Sequence, residues 1–365
     1  MSVILDEFYV PQDSSILDVL KESPDAREIY QLTLRDFLED IRSILELIRS
    51  PIEEISIKFE DVKRYLETKD PTLANSTGEF QQLVSKKKNE LEPIFDRLSQ
   101  NSIRSFSGYN LNRDQEIKLR NYLSSFRSRM VSMITHRLRT PYAVLGTSSY
   151  LIDKLLSLQP DNFNDSRLVG KTQTISSALG EYQEIFIEIE KFYNICFGLD
   201  RNSVNVEWVP SENLPYLFLD LLDEPTFQGL NLSVNNESEA TGIKIDVEHI
   251  KEAVRQILIN SIDFSNRGSD LAILVNIRTV DQEQKRLVIE ITDNGAGIKP
   301  QELQNVFEPF YTQDMVGIDF ANLPGTGCGL GLSIAKGLVE RYGEIGISSV
   351  LNQGTTVVLD FKARD

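Results

Sequence analysis

Cysteine, histidine and tryptophan are scarce in this 365-residue chain, which has two, two and one of them. Cys196 and Cys328 lie far apart, so no disulfide framework or thiolate zinc set can be assembled, and a reducing compartment is expected. Cys196 reads as a small apolar core residue. No apolar run reaches the ~18 residues of a membrane span, and no basic-then-apolar leader opens the chain. A cytoplasmic protein is expected. Basic charge is short as well, with 38 Lys and Arg against 55 Asp and Glu and a net charge of −17. Such a field repels nucleic acid and anionic lipid, so neither is an expected partner. Any small polyanion would have to be held by a local cation and backbone N–H groups.

What is present is the composition of a globular protein, 41% hydrophobic and 25% charged, long enough for two or three domains. The first ~115 residues read as helical. Apolar residues Ile29, Leu32, Leu34, Phe37, Leu38, Ile41, Leu45 and Ile48 recur at helical spacing, and Pro51 is expected to end that helix. A second helix is expected over 52–66, a small-residue loop over 72–78, and a third helix over 79–98. Its Lys86-Lys87-Lys88 run reads as a solvated face without function. The Ser- and Asn-containing stretch 100–112 is the first expected boundary.

Between residues 116 and 158, Leu119, Leu123, Phe126, Met130 and Met133 step by four and three, a coiled-coil seam. After a polar turn at 159–166, Ile175, Leu179, Tyr182, Phe186, Ile189 and Tyr193 repeat the alternation. A two-helix hairpin cannot bury both stripes alone, so pairing with a second copy as a four-helix bundle is expected. Beyond Gly198 the pattern changes to mixed strand and helix. Strands are expected at 204–209, 231–234, 243–247, 271–279, 286–292 and 355–361, with helices at 211–222, 248–265, 299–306 and 331–342. Because they do not alternate strictly, this reads as an α/β sandwich and not a doubly wound sheet.

Five segments carry chemistry. His136, in Thr135-His136-Arg137-Leu138-Arg139-Thr140-Pro141, stands on the first seam helix, where a neutral imidazole can take a phosphoryl group directly. Thr140 lies one turn on, on the same face, and Pro141 permits a bend. Asn260 ends a helix in Asn260-Ser261-Ile262-Asp263-Phe264-Ser265, and its amide oxygen suits magnesium. Asp293-Asn294-Gly295-Ala296-Gly297-Ile298 follows a strand; a carboxylate there can accept from an adenine amine while the glycines admit the base. Phe307-Glu308-Pro309-Phe310-Tyr311 supplies buried aromatics. Gly325-Thr326-Gly327-Cys328-Gly329-Leu330-Gly331-Leu332-Ser333-Ile334 is a glycine loop opening a helix, a phosphate-binding arrangement.

In order and spacing these segments, with the chain from about Leu119 to Phe361, resemble the H, N, G1, F and G2 boxes of two-component sensor histidine kinases. The resemblance implies a multidomain chain: helical sensory or docking residues 1–115, a dimerisation and phosphotransfer hairpin over 116–200, and an ATP-binding sandwich of the gyrase type over 201–365. It implies that His136 is phosphorylated from Mg-ATP with Thr140 beside it, and that Asn260 carries the magnesium. Asp293, Gly295, Gly297, Phe310, Gly327, Gly329, Leu330 and Gly331 are then nucleotide-binding. It further implies a homodimer that passes the phosphoryl group to an aspartate of a response regulator receiver domain.

Three departures from the family pattern stand out. Arg137 occupies the place of the acidic residue that follows the histidine, and Asp263 that of a basic residue after Asn260. Gln256 keeps the amide expected four residues before Asn260, whereas 312–324 holds Asp314 and Asp319 but no Lys or Arg. A pseudokinase scaffold that binds a regulator or another kinase without turnover is the alternative reading, and a gyrase-type ATPase without phosphohistidine is the third.

Overall fold

Ser23 and Pro24 start one of the two longest helices among the described residues. In the computed structural model, which describes residues 11, 13–97, 105–158, 166–197, 204–239, 241–265, 271–280, 285–312 and 327–363, they open a helix of 45 residues. Two compact units form, one of residues 22–190 and one of the described parts of 1–21 and 191–365.

In the first unit, α2 (Pro24–Thr68) is capped by the Ser23 hydroxyl, which accepts from Ala26 N at 3.2 Å. It ends where Lys69 turns left-handed and donates to the Tyr65 carbonyl at 2.8 Å. Pro51 does not stop it, contrary to the expectation from sequence. The lost backbone bond costs up to about 3 kcal/mol in an exposed helix. Here Pro51 is buried in a seam that runs from Ala26 to Val62, and each large apolar residue so buried contributes about 1.5–3 kcal/mol. The expected second helix is therefore the continuation of the first.

α3 (Ser76–Arg97) returns along α2, starting inside the stretch read as a loop. Phe59 and Phe80 pack at 5.4 Å. Lys87 is buried between Glu54 and Glu90, each at 2.9 Å, so the middle of the lysine run is an ion-pair centre and not a solvated face. α4 (Arg113–Leu158) and α5 (Ser166–Phe197) are the two seam helices. They meet where the Tyr182 hydroxyl donates to the Leu138 carbonyl at 2.5 Å. The intervening turn at 159–165 lies outside the described residues, as does part of the expected boundary at 100–112.

Of the expected seam residues, Leu119, Leu123, Phe126, Met130, Met133, Ile175 and Tyr182 are all at 3% exposure or less, whereas Tyr193 is half-buried and its neighbour Phe192 takes the buried place. α2 and α3 pack against α4 in the same unit, through Tyr30 and Phe37 of α2 and Glu92 and Val84 of α3. Residues 22–115 and the hairpin up to 190 accordingly share one core.

The second unit contains α1 (Ser14–Glu22, all but its last residue) and the α/β part. β1 (Val206–Pro210) pairs antiparallel with β3 (Gly242–Asp246) as a separate ribbon. The main sheet has the order β2-β4-β5-β7-β6, from β2 (Asn231–Glu237), β4 (Ala272–Val280), β5 (Arg286–Asp293), β7 (Gly354–Lys362) and β6 (Gly343–Val350). β2 runs parallel to β4, and the other pairs are antiparallel. Alternate residues Ile273, Val275, Ile277, then Leu287, Ile289, Ile291, then Val357, Leu359, Phe361 are buried, the period of a sheet with one covered face. α7 (Val247–Asp263) and α8 (Gly331–Val339) pack together and supply Ile250, Val254, Ile257, Ile334 and Leu338 to the core.

Two expected helices differ. Residues 211–223 form short 3-10 turns around a four-residue helix, α6 (Tyr216–Leu219), because Pro215 interrupts the pattern. Residues 299–311 form successive i to i+3 turns, with Glu302, Asn305, Glu308 and Tyr311 donating back to Lys299, Glu302, Asn305 and Glu308 at 2.8–3.2 Å. Edge strand β6 was not expected; its inner side offers only Ile345 and Ile347 as large apolar residues.

Candidate active site

The residues singled out in the sequence fall on both units. On the helical unit, His136 lies in the middle of α4, partly exposed, between buried Met133, Ile134 and Leu138. Pro141 follows it without breaking the helix. Thr140 is exposed on the next turn; its hydroxyl donates to the His136 carbonyl at 3.0 Å and lies 3.4 Å from Nε2. Partial burial, and then the neighbouring Arg137 cation, push the imidazole below its ordinary value. Its neutral, nucleophilic form is thereby favoured near pH 7. Across the hairpin, burial raises the Glu181 carboxyl while Arg137 pulls it down. Glu181 is a charged neighbour of this site that the sequence reading missed; its position just before the seam residue Tyr182 was the available signal.

On the α/β unit, the Asp246 carboxylate accepts from His249 N at 3.2 Å and starts α7, which carries Gln256 and Asn260 one turn apart. The Asn260 amide nitrogen donates to the Gln256 carbonyl at 2.9 Å, so the amide oxygen is turned the other way. Gly331, first residue of α8, closes over both: a Cβ there would come to 2.9 Å from Asn260 Nδ2 and 3.0 Å from Gln256 Oε1. Glycine here brings the N-terminal end of α8 close to the asparagine without displacing either side chain. Asp263, in the place of the family's basic residue, is the last residue of α7.

Asp293, at the end of β5, is set by three donors. Gly295 N at 2.8 Å and Thr355 N at 3.2 Å bond one carboxylate oxygen, and the Ser261 hydroxyl bonds the other at 3.2 Å. Burial raises its carboxyl despite those donors. One oxygen with a single protein donor retains acceptor capacity for an amine. Ser261 and Thr355 are further residues not singled out from sequence.

Gly297 has a φ of +66°, and any side chain there would run into the Val350 carbonyl. The loop is also pinned by Ala296, which donates to Phe264 O at 2.9 Å and accepts from Asn352 N at 2.7 Å. Phe307 and Phe310 are buried. Phe310 stands edge-on to Phe192 of α5 at 5.7 Å, and Gly329 lies against the Phe310–Tyr311 backbone. Gly329 of the glycine segment thus rests on the backbone of Phe310 and Tyr311. Gly327 precedes buried Cys328, and Leu330 is buried as the residue before α8. Gly325, Thr326, Asp314 and Asp319 lie outside the described residues.

A second layer supports Gln256. Its side-chain amide donates to Glu252 at 2.8 Å, and Glu252 also accepts from Lys191 at 2.8 Å and pairs with Arg255. Arg255 in turn forks onto Glu224 at 2.6 and 3.1 Å. Partial burial raises the Glu252 carboxyl, but these donors and cations together bring it below its ordinary value.

Among the described residues no group of three or more His, Cys, Asp or Glu could hold a metal ion. A site of the kind Asn260 offers does not need one, since magnesium keeps several waters and is bound through few protein ligands plus phosphate oxygens.

Residues 245–365 match the family of histidine kinase-, DNA gyrase B- and HSP90-like ATPases. Sensor protein SrrB of Staphylococcus aureus is 26% identical over 242 residues, which is 65% of this chain and 38% of that protein. The chain thus spans well under half the length of the curated relative it matches. Among solved structures, the mycobacterial sensor histidine kinase MprB is 23% identical over 43% of this chain and 99% of its own, with a TM-score of 0.34. The Acinetobacter baumannii histidine kinase AdeS is 15% identical over 63% of this chain and 98% of its own, with a TM-score of 0.38. At these scores the likeness assigns nothing to this chain. No helix among the described residues is long and apolar enough to cross a membrane. Residues 245–365 are an ATPase domain of the histidine kinase, gyrase B and HSP90 family, in a chain related at a distance to the sensor histidine kinases of two-component systems.

Proposed function

We propose that this chain is an ATP-dependent protein-histidine kinase that phosphorylates its own His136 and passes the phosphoryl group to an aspartate of a response regulator receiver domain. The observation that carries the reading is the joint between α7 and α8. Gly331 places a helix N-terminus, the arrangement that favours phosphate, against the one side-chain amide suited to magnesium. Asp293 would accept from the adenine amine, beside a Gly295–Gly297 turn that keeps side chains out of the way. Gly327, Gly329, Leu330 and Gly331 would present backbone toward the triphosphate. Asn260 would hold a magnesium ion through its amide oxygen, and the chemistry supplied there would be neutralisation of the triphosphate's charge.

His136, with its imidazole held largely neutral, is the acceptor, and Thr140 is the hydroxyl next to it. Thr140 would orient a water or the imidazole edge and is not required to form the N–P bond. The substrates of such a kinase, ATP and a receiver domain, are cytoplasmic, and so is the location we propose. The pseudokinase reading retains one specific support, Asp263 at the end of α7 where the family carries a cation.

Incubation of the purified chain with γ-labelled ATP and magnesium, beside His136→Ala and Asn260→Ala, tests the proposal. Acid-labile label on the wild type alone is expected. Nucleotide binding by calorimetry without any label would replace the kinase with the scaffold.

A further inference from the structure

We infer that Glu252, one turn before Gln256 on α7, is a positioning residue for the nucleotide site: it sets which way round the Gln256 amide lies, while Lys191 near the end of α5 and Arg255 hold the carboxylate in place. The inference rests on the reading of Asn260 as the magnesium ligand and adds residues that would touch neither the ion nor ATP. Gln256 is buried, and the two ends of its amide face different neighbours. Its Nε2 donates to Glu252 Oε1 at 2.8 Å. Its Oε1 lies against the first residue of α8, where a Cβ on Gly331 would come to 3.0 Å from it and to 2.9 Å from Asn260 Nδ2. The oxygen of Gln256 is thus on the side of Asn260 and the α8 N-terminus, and the nitrogen on the side of Glu252.

A side-chain amide can lie either way round unless a neighbour distinguishes its nitrogen from its oxygen. Glu252 does so. Burial alone would raise its carboxyl, but the Lys191 and Gln256 bonds and the Arg255 charge bring it below its ordinary value. It is therefore ionised at neutral pH, offers only acceptors, and can take the amide's NH2 but not its oxygen. Glu252 is itself held from two sides. Lys191 reaches the same Oε1 at 2.8 Å, and Arg255 bonds Oε2 while forking onto Glu224 at 2.6 and 3.1 Å. The last turns of α5 fix where Lys191 stands. Its neighbour Phe192 is edge-on to Phe310, and Ile195 comes so close to α8 that a Cβ on Gly337 would lie 2.7 Å from it. Turned round, the Gln256 amide would aim a donor at the start of α8, whose own unsatisfied groups are donors, and would leave no oxygen on the side of Asn260.

Binding of a non-hydrolysable ATP analogue is measured by calorimetry, with magnesium and again with EDTA, for the full-length wild type, Glu252→Gln and Lys191→Met. Glutamine at 252 keeps the shape of the side chain but can donate as well as accept, so the Gln256 amide is free to turn. The gain in affinity that magnesium brings is expected to fall about 10-fold or more in Glu252→Gln, the usual effect of removing a partner that orients a metal-binding side chain. Affinity in EDTA is expected to stay at the wild-type value. Lys191→Met, which loosens Glu252 without touching Gln256, is expected to lose part of the same gain. A Glu252→Gln protein that keeps the wild-type gain would overturn the inference, and so would an equal loss with and without magnesium, which a purely structural role predicts. Should Glu252→Gln fail to fold, Lys191→Met decides by the same outcomes. A wild type that binds the analogue in neither condition, or gains nothing from magnesium, would overturn the site reading itself, whereas a change missing only from the variants overturns the role of Glu252 alone.

Discussion

His136 and Arg137 sit side by side in a place where family members pair the histidine with an acid, and the consequence is a histidine that resists protonation. Burial and the Arg137 charge both act to lower its pKa, so its NMR titration should have a midpoint below the ordinary 6.5. Replacing Arg137 with Gln should move the midpoint up, and an unchanged midpoint would assign the whole effect to burial. The pH dependence follows in sign. Because the folded pKa is depressed, the neutral acceptor persists to lower pH than in a free peptide, and labelling should fall only as pH drops through the lowered value. The depression also makes the fold lose stability in acid, as the unfolded chain takes up the proton first. On the proposed reading, Asp293→Asn removes the carboxylate charge and leaves one acceptor oxygen where there were two, weakening a charge-assisted bond of about 1.5–3 kcal/mol to the adenine amine. ATP affinity by calorimetry should drop on the order of 10- to 100-fold. These single residues were legible because each belongs to a short motif with its own chemistry. Glu181, Ser261 and Glu252 were not, since each acts on a motif residue from elsewhere: Glu181 from α5, Ser261 through Asp293, and Glu252 through Gln256.

At the scale of elements, the ends of helices were harder to read than their seams. Ser23 and Asp246 cap α2 and α7 where the pattern begins, but Pro51 looks like a stop in sequence and is overruled by a seam that continues on both of its sides. The turns at 299–311 mimic a helix locally because Lys299, Glu302 and Phe307 are spaced like one; Pro300 and Pro309 give no N–H to continue it. β6 escaped notice because an edge strand needs little apolar alternation when its partner β7 supplies the pairing. Two polar contacts can each be removed by a single substitution. Tyr182→Phe deletes the bond from α5 to the Leu138 carbonyl and should cost about 1 kcal/mol, read as a lowered melting temperature. Glu252→Ala should cost more, about 1–3 kcal/mol, because it leaves Lys191 and Arg255 facing one another without their shared carboxylate, whose side chain is only 18% exposed. A Glu252→Ala variant as stable as the wild type would mean that Glu224 alone satisfies Arg255.

The whole molecule carries −17 charges, and its candidate nucleotide site must bind a polyanion against them. The sandwich, its strands other than β6 and the hairpin were legible in the sequence, since those are set by local period. The sequence could not foretell that α2 and α3 pack on α4, because the long-range contacts Phe37–Phe126 and Tyr142–Val84 leave no local periodicity of their own. Net charge, by contrast, is fully visible in sequence and has a consequence for binding rates. At an ionic strength of about 0.01 M the screening length is about 30 Å, whereas at 0.15 M it is about 8 Å. Most anion sites lose on-rate as salt is added, because basic residues steer the ligand. Here the stretch 312–324 has no Lys or Arg, so repulsion by the whole chain should dominate the approach. The association rate of a fluorescent ATP analogue, followed by stopped flow at fixed magnesium, should therefore rise severalfold from 10 to 150 mM salt, while dissociation changes little. A rate that falls instead would place a positive patch at the mouth of the site strong enough to reverse the field of the whole molecule.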